Sequence, residues 1–193
     1  MPERNRVNPY GEIVATALRG AWMGNRGSIH RDHDIVRPWA TKRWITCVLE
    51  YRGWRAPKWM PGRWTPLYFY DEALAFASGH RPCALCRRAD YDRYRHAIGI
   101  ALADDIDAQL DAERRTGREK RTHVMPWRAI PPGAYVELHG VPHVVLAEAL
   151  RPWDHAHGYG SACARPRSGD AKLLTPPLTI RAIVAGYEPQ IAH

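Results

Sequence analysis

The sequence lacks a long apolar run. No stretch approaches the roughly 18 consecutive apolar residues that a membrane-spanning helix requires. The first six residues, Met1 to Arg6, are polar, and no apolar segment of the kind found in a secretory signal follows them. We therefore expect a cytoplasmic protein with no membrane partner.

Cysteine is also scarce, with four residues in a chain of 193. In a cytoplasmic protein such cysteines are more often thiols or metal ligands than disulfides. A chain of this length can bury an adequate core without disulfides. Hydrophobic residues at 45% and charged residues at 25% exclude a disordered or low-complexity protein.

Acidic residues are few relative to basic ones, since 20 Asp and Glu against 28 Lys and Arg give a net charge of +8. This charge suits a polyanionic partner. Phenylalanine occurs only twice, whereas there are eight tryptophans, six of them within residues 22–64. The same window holds nine basic and three acidic residues, so most of the excess charge coincides with most of the tryptophans.

Local patterns predict helices and strands in the first eighty residues. An Asn-Pro pair that begins a run with one apolar face predicts a helix over residues 8–20. Residues 44–51 and 67–70 have the composition of strands. Asp71 is placed to cap a short helix that Gly79 ends.

The strongest helical pattern follows Cys86. Apolar residues recur at steps of three and four from Tyr91 to Leu110, which predicts a long helix that Gly99 kinks or divides. Beyond residue 133 the period changes to two, which predicts a hairpin around Gly140. A final helix is predicted with Thr175 as its N-cap.

These elements predict an α+β protein with two parts. Residues 1–115 would form a zinc-bearing module with short strands and the long helix. The polar and basic run after Thr116 predicts a linker over residues 116–133, and residues 134–193 would form a smaller α+β lobe. One continuous domain is the alternative arrangement.

The clearest chemical motif is the Cys-x-x-Cys pair formed by Cys83 and Cys86. Two thiols at this spacing can chelate one soft cation from a tight turn, and the N-terminus of a following helix stabilises thiolates. The alternatives are a redox pair, which usually occurs in a βαβ setting absent here, and two incidental core thiols.

The run from Leu67 to Arg87 resembles the second half of the zinc-binding domain of Ada-type DNA methyl-repair proteins. In that family an aromatic strand leads into a helix and then into an aromatic-Arg-Pro-Cys-x-x-Cys-Arg turn that supplies two zinc thiolates. The same features occur here in the same order. The resemblance implies that Cys83 and Cys86 bind zinc in an Ada-like module and suggests a link to DNA repair.

The remaining zinc ligands must lie elsewhere, because the family's first two ligands are a closely spaced cysteine pair and this chain has only Cys47 upstream. We predict Cys47 as the third ligand. We favour His30 as the fourth, because it lies in a loop broken by glycines that could reach inward. His33, His80 and Cys163 are the alternatives.

Aromatic residues interleaved with arginine and lysine can stack on bases while the cations hold phosphates. We therefore predict a nucleic-acid interface, and we expect DNA rather than RNA as the partner. The predicted interface comprises Arg52, Trp54, Arg55, Lys58, Trp59, Arg63, Arg81, Arg87 and Arg88.

A second cluster lies between Asp154 and Tyr159. Asp154, His155 and His157 could bind a metal, or could supply a general base with its orienting carboxylate. A polar surface loop is the alternative that we favour, because the adjacent glycines give the loop little support.

The leading functional hypothesis is a nucleic-acid-binding protein with structural zinc. The alternative is an enzyme acting on DNA or a modified base, either as a hydrolase with a site near Asp154–Tyr159 or as a repair-type methyl acceptor. In the Ada family a zinc-bound cysteine takes the methyl group, and Cys47 is the one position here that could do so. A third possibility is a metabolic hydrolase that uses zinc only for folding.

Overall fold

The computed structural model describes residues 1–192 and shows a mixed α+β protein, as the sequence predicts. The helices are α1 (Glu72–Ala77), α2 (Arg88–Ile98), α3 (Ala103–Arg114) and α4 (Pro177–Val184). The first strands are β1 (Arg4–Val7), β2 (Ile13–Ala15), β3 (Trp22–Asn25), β4 (His30–Arg31), β5 (Asp34–Ile35), β6 (Ile45–Cys47), β7 (Leu67–Phe69) and β8 (Arg81–Pro82). The later strands are β9 (Arg115–Thr116), β10 (Glu119–Lys120), β11 (His123–Pro126), β12 (Tyr135–Leu138), β13 (Val141–Val145), β14 (Ala149–Asp154), β15 (Gly158–Tyr159), β16 (Cys163–Ala164) and β17 (Asp170–Leu173).

Two sheets organise the chain. The first sheet has the strand order β2-β1-β7-β3-β6-β8, in which the pairs β1–β7 and β6–β8 are parallel. The second sheet has the order β11-β17-β12-β13-β14-β15, with β16 also pairing with β14, and its pairs are antiparallel. Strands β4–β5 and β9–β10 form two separate hairpins.

Helix α1 contributes to the core that joins the two sheets. Asp71 caps it as predicted, since its Oδ1 accepts a hydrogen bond from the Leu74 N–H at 2.7 Å. All six helical residues are buried. The core cluster around α1 includes Phe69 of the first sheet and both Tyr135 and Val144 of the second. The two sheets therefore share one hydrophobic core.

The predicted long helix is two helices. Gly99 ends α2 in the left-handed conformation, with φ +64°, and α3 begins only at Ala103. The apolar stripe read from the sequence is nevertheless buried, because Tyr94, Ile98 and Ile106 pack with α4 in a second cluster.

The helix predicted over residues 8–20 is wrong, because this segment belongs to a hairpin of β1 and β2. The Asn8 side chain closes the turn. Its Oδ1 accepts from the Glu12 N–H at 2.9 Å and its Nδ2 donates to Glu12 Oε2 at 2.7 Å. Asparagine satisfies turn backbone groups as readily as it caps helices, so the Asn-Pro pair does not distinguish the two.

The linker predicted over residues 116–133 is also corrected. This segment contains β10 and β11, and β11 pairs with β17 of the second sheet. Trp127 and Ile130 are buried in a third cluster. Charged residues on short strands gave the segment its linker-like composition.

The hairpin around Gly140 is confirmed, since Leu138 pairs with Val141 across a two-residue turn. The final helix is confirmed from Pro177, but Thr175 is not its N-cap. The Thr175 hydroxyl instead accepts from the Tyr135 N–H at 2.8 Å. The strand predicted over residues 44–51 is shortened to β6. None of the helices in the described part of the chain has the length and apolar character needed to cross a bilayer.

Gly24 provides a test of the first sheet, because it lies on β3 between β6 and β7. A Cβ at this position would lie 2.0 Å from the Ile45 carbonyl oxygen. We expect Gly24→Ala to lower the free energy of unfolding by about 3 kcal/mol or more, since backbone must move to relieve the clash. Gly140→Ala has open space and should cost only about 1 kcal/mol through its positive φ. Equal losses in urea titrations would contradict the packing of β3.

Candidate metal centre and nucleic-acid interface

The register of the first sheet brings the three predicted cysteine ligands together. Cys47 ends β6, and Cys83 and Cys86 lie in the turn between β8 and α2. Strand β8 runs parallel to β6 with Thr46 opposite Pro82, and the Cys83 N–H donates to the Thr46 carbonyl at 2.9 Å. The Cys-x-x-Cys turn therefore begins beside the end of β6.

The sulfur atoms of Cys47, Cys83 and Cys86 all lie within 4.8 Å of one another. The Leu85 N–H donates to Cys83 Sγ at 3.4 Å. Hydrogen bonds from the Cys47 and Cys86 thiols lower the pKa of Cys83 to about 2. The hydrogen bonds with Cys83 and Cys86, together with burial, raise the pKa of Cys47. Of the three thiols, Cys83 therefore loses its proton most readily.

Three closely spaced thiols form a donor set suited to a soft metal ion such as Zn²⁺. No other His, Cys, Asp or Glu of residues 1–192 belongs to this group. Structural zinc sites usually have four protein ligands, whereas three leave one coordination position for water or another ligand. Cys47 and Cys83 are buried and Cys86 is half-buried, so any open position would have limited access.

His30 is not brought to the cysteines, and its prediction as the fourth ligand is corrected. Its Nδ1 lies 2.6 Å from Thr65 Oγ1 and its Nε2 lies 3.2 Å from the Met60 carbonyl oxygen. Both ring nitrogens therefore have partners in the loop that follows β6. The sequence showed a loop able to reach inward, but not which neighbours it would meet.

The alternative ligands also lie outside the cysteine group. His33 stacks on Trp59, with ring centroids 5.7 Å apart. His80 is buried and uses its two nitrogens with Ser78 and Arg26. Cys163 is exposed on β16.

No protein-family model, curated protein or solved structure matches this chain. The resemblance of residues 67–87 to the Ada zinc domain therefore stays a prediction.

The structure removes two arginines from the predicted nucleic-acid interface. Arg81 is buried and forms a bidentate ion pair with Asp107, with both nitrogen–oxygen distances at 2.8 Å. Arg87 is also buried, and it binds Glu72 and Asp90. Both side chains are buried in ion pairs, so neither is available to a phosphate.

The other predicted contacts, three exposed cations and one buried tryptophan, already have partners. Lys58 pairs with Glu3 at 2.7 Å, and Trp59 is buried with its Nε1 donating to Glu3 at 3.1 Å. Arg55 pairs with Glu50 at 2.7 Å. Arg88 pairs with Asp92 at 2.8 Å. Pairing with carboxylates reduces the attraction of these cations for an added anion.

Arg52, Trp54 and Arg63 remain exposed, and we refer to them as the exposed patch. Trp54 is 53% exposed and contacts Trp64 edge-on, with ring centroids 6.3 Å apart. These two tryptophans, Met60 and Arg63 line a shallow cavity of about 380 Å³. Trp64 is one of the six tryptophans of residues 22–64, but no local signal in the sequence indicates that it contacts Trp54.

The segment around Asp154 forms an exposed turn. His157 Nδ1 lies 2.9 Å from Asp154 Oδ1, so the predicted imidazole–carboxylate pair exists, but the His157 side chain is 88% exposed. Backbone hydrogen bonds from Ala156 and His157 hold the carboxylate and lower the pKa of Asp154. His155 is also exposed. Tyr159 points away into the core, where its hydroxyl donates to Asp71 at 2.6 Å.

The cysteine group predicts that the protein binds zinc and needs it for stability, and substitution of one cysteine tests this. We expect Cys83→Ser to lose zinc and to lower the free energy of unfolding by about 3 kcal/mol or more, because metal binding is linked to folding. Zinc content by mass spectrometry of purified protein and urea titration measure both effects.

Cys163→Ser and His30→Ala are the matched controls for that experiment. Both residues lie outside the cysteine group, so both variants should retain one zinc per chain. Full zinc occupancy in Cys83→Ser, or loss of zinc in Cys163→Ser, would contradict the assigned ligands.

Proposed function

We propose that this chain is a zinc-containing DNA-binding protein in which zinc has a structural role. The observation that carries the proposal is the packing of the loop after β6 on the cysteine group. Ala56 and Trp64 of this loop pack against Cys47, Cys83 and Met23. The exposed patch is part of the same loop, so the predicted metal centre supports the residues proposed to meet DNA.

This loop needs such support because it contains little regular structure. Between β6 and β7 its backbone pairing includes one isolated bridge, Tyr51 with Trp54. Arg52 and Trp59 adopt positive φ values of 52° and 56°. A metal that fixes β6 against the β8–α2 turn would give Ala56 and Trp64 a rigid surface to pack on.

The exposed patch has suitable chemistry for a DNA strand. Arg52 and Arg63 form no ion pair with a carboxylate of residues 1–192, so their charges are available to phosphates. Trp54 presents an exposed ring on which an unpaired base can stack. The net charge of +8 would assist the approach of any polyanion.

A structural role for zinc is favoured over methyl acceptance. A cysteine that takes a methyl group from DNA must reach the phosphotriester, and Cys47 is only 7% exposed. Its pKa is also raised, which disfavours the nucleophilic thiolate in the metal-free site. The exposed Asp154 turn likewise lacks the enclosed setting that a general base usually requires.

Removing the two free cations of the exposed patch should weaken DNA binding. We expect the double variant Arg52→Ala/Arg63→Ala to bind single-stranded DNA about tenfold more weakly or worse at low salt, because two phosphate contacts are lost. The slope of log affinity against log salt should fall by about 1.4, because each phosphate contact to a single strand contributes about 0.7. Fluorescence anisotropy with a labelled oligonucleotide across a salt series measures both quantities.

Arg88→Ala is the control, since Arg88 is an exposed arginine that already pairs with Asp92. Its effect on affinity and salt slope should be small. Equal losses in the control and in the double variant would show that net charge alone drives binding. Unchanged binding in the double variant would remove the exposed patch from the interface.

A further inference from the structure

A cavity of about 700 Å³ lies apart from the cysteine group, with walls that include β2, the segment after β5 and the end of α3. Seven basic residues line it against two acidic ones, Glu12 and Glu119. Its size is within the range of small-molecule sites. The excess of positive charge in one concave space points to an anionic ligand.

Arg26 forms part of the cavity wall and is 1% exposed. Its Nη1 donates to the Gly11 carbonyl at 2.8 Å and its Nε donates to His80 Nε2 at 3.2 Å. Its Nη2 has no hydrogen-bond partner within residues 1–192, and no carboxylate of that range lies within 4.0 Å of the guanidinium. A buried cation with an unused donor is costly unless something pairs with it.

Arg114 brings a second guanidinium to the same place. Its Cζ lies 3.9 Å from the centroid of the Trp44 ring, and the Cζ of Arg26 lies 3.8 Å from that centroid. Arg114 pairs with Asp111, but Arg115 draws on the same carboxylate. The Arg114 Nε also has no partner in the described structure. The Asp111 carboxylate thus pairs with two arginines, whereas Arg26 pairs with no carboxylate of residues 1–192.

Lys120 adds a third cation. Its ammonium donates to the Ala77 carbonyl, and no carboxylate of residues 1–192 lies within ion-pair distance. Burial and the positive charges of Arg26 and Arg114 lower the pKa of Lys120 to about 7. The three cations therefore repel one another, and an anion in the cavity that all three line would offset their charge.

We propose that this cavity binds the phosphate group of a small phosphate monoester. A dianion with three terminal oxygens suits a cavity lined by seven basic residues better than a single carboxylate does. Tyr10, Trp39 and Ile13 also line the cavity and offer an apolar wall for the ester's organic part. The site goes beyond the proposed DNA binding, and it requires neither zinc nor the exposed patch.

Calorimetric titration with inorganic phosphate, phenyl phosphate and phenol tests the proposal. We expect both phosphates to bind the wild-type protein at matched ionic strength, phenyl phosphate more tightly, because its ring can contact the apolar wall. Phenol should not bind measurably. Arg26→Met and Lys120→Met should each weaken phosphate binding about tenfold or more, since each removes a charge-assisted contact.

The variants also separate binding from folding. Lys120→Met removes an unpaired charge, so without phosphate its melting temperature should equal or exceed that of wild type. If Arg26→Met does not fold, the phosphate affinity of Lys120→Met tests the proposal. Arg63→Met, outside the cavity, should bind phosphate normally. The proposal is overturned if neither phosphate binds, if phenol binds as tightly as phenyl phosphate, or if Lys120→Met retains wild-type affinity for phosphate.

Discussion

The buried guanidinium of Arg87 joins β6, α1 and α2, the elements on which the cysteine group and the exposed patch depend. It follows Cys86 directly and donates to Thr46 of β6 at 2.7 Å, Glu72 of α1 at 2.5 Å and Asp90 of α2 at 2.9 Å. Burial disfavours the charge, but the carboxylates outweigh it, so the pKa of Arg87 is raised. A guanidinium satisfied by three elements fixes their relative positions in a way that apolar packing alone does not.

The Cys-x-x-Cys turn is therefore anchored from two sides. On one side its sulfur atoms meet Cys47, and on the other the next residue joins α1, which shares its core with the second sheet. Arg81, two residues before Cys83, adds the buried pair with Asp107 of α3. Two of the arginines that the sequence assigned to nucleic acid instead fix the metal-ligand turn, while arginine and lysine side chains elsewhere line the open cavity.

The sequence predicted correctly those elements whose determining residues lie close together along the chain. Asp71 caps α1, Gly99 ends α2, and the three cysteines predicted as ligands lie together. The predictions that were wrong concern side chains whose contacts in the structure are distant in sequence. Arg87 and a surface arginine look alike until Glu72 and Asp90 are known to face it. The glycines around His30 indicated a loop that could reach inward, but the sequence does not show that Thr65 and Met60 lie beside its ring nitrogens. Arg26 and Lys120 gave no local signal, because their cavity unites residues separated by nearly a hundred positions.

The outer strands of the sheets have a consequence for self-association. Strand β8 forms one edge of the first sheet, is two residues long and ends in Pro82, and β2 at the other edge has three residues. In the second sheet, edge strand β11 ends in Pro126. Proline has no N–H to offer a neighbouring chain, and short edges present few unpaired groups. These three borders therefore offer few groups on which a further strand could pair.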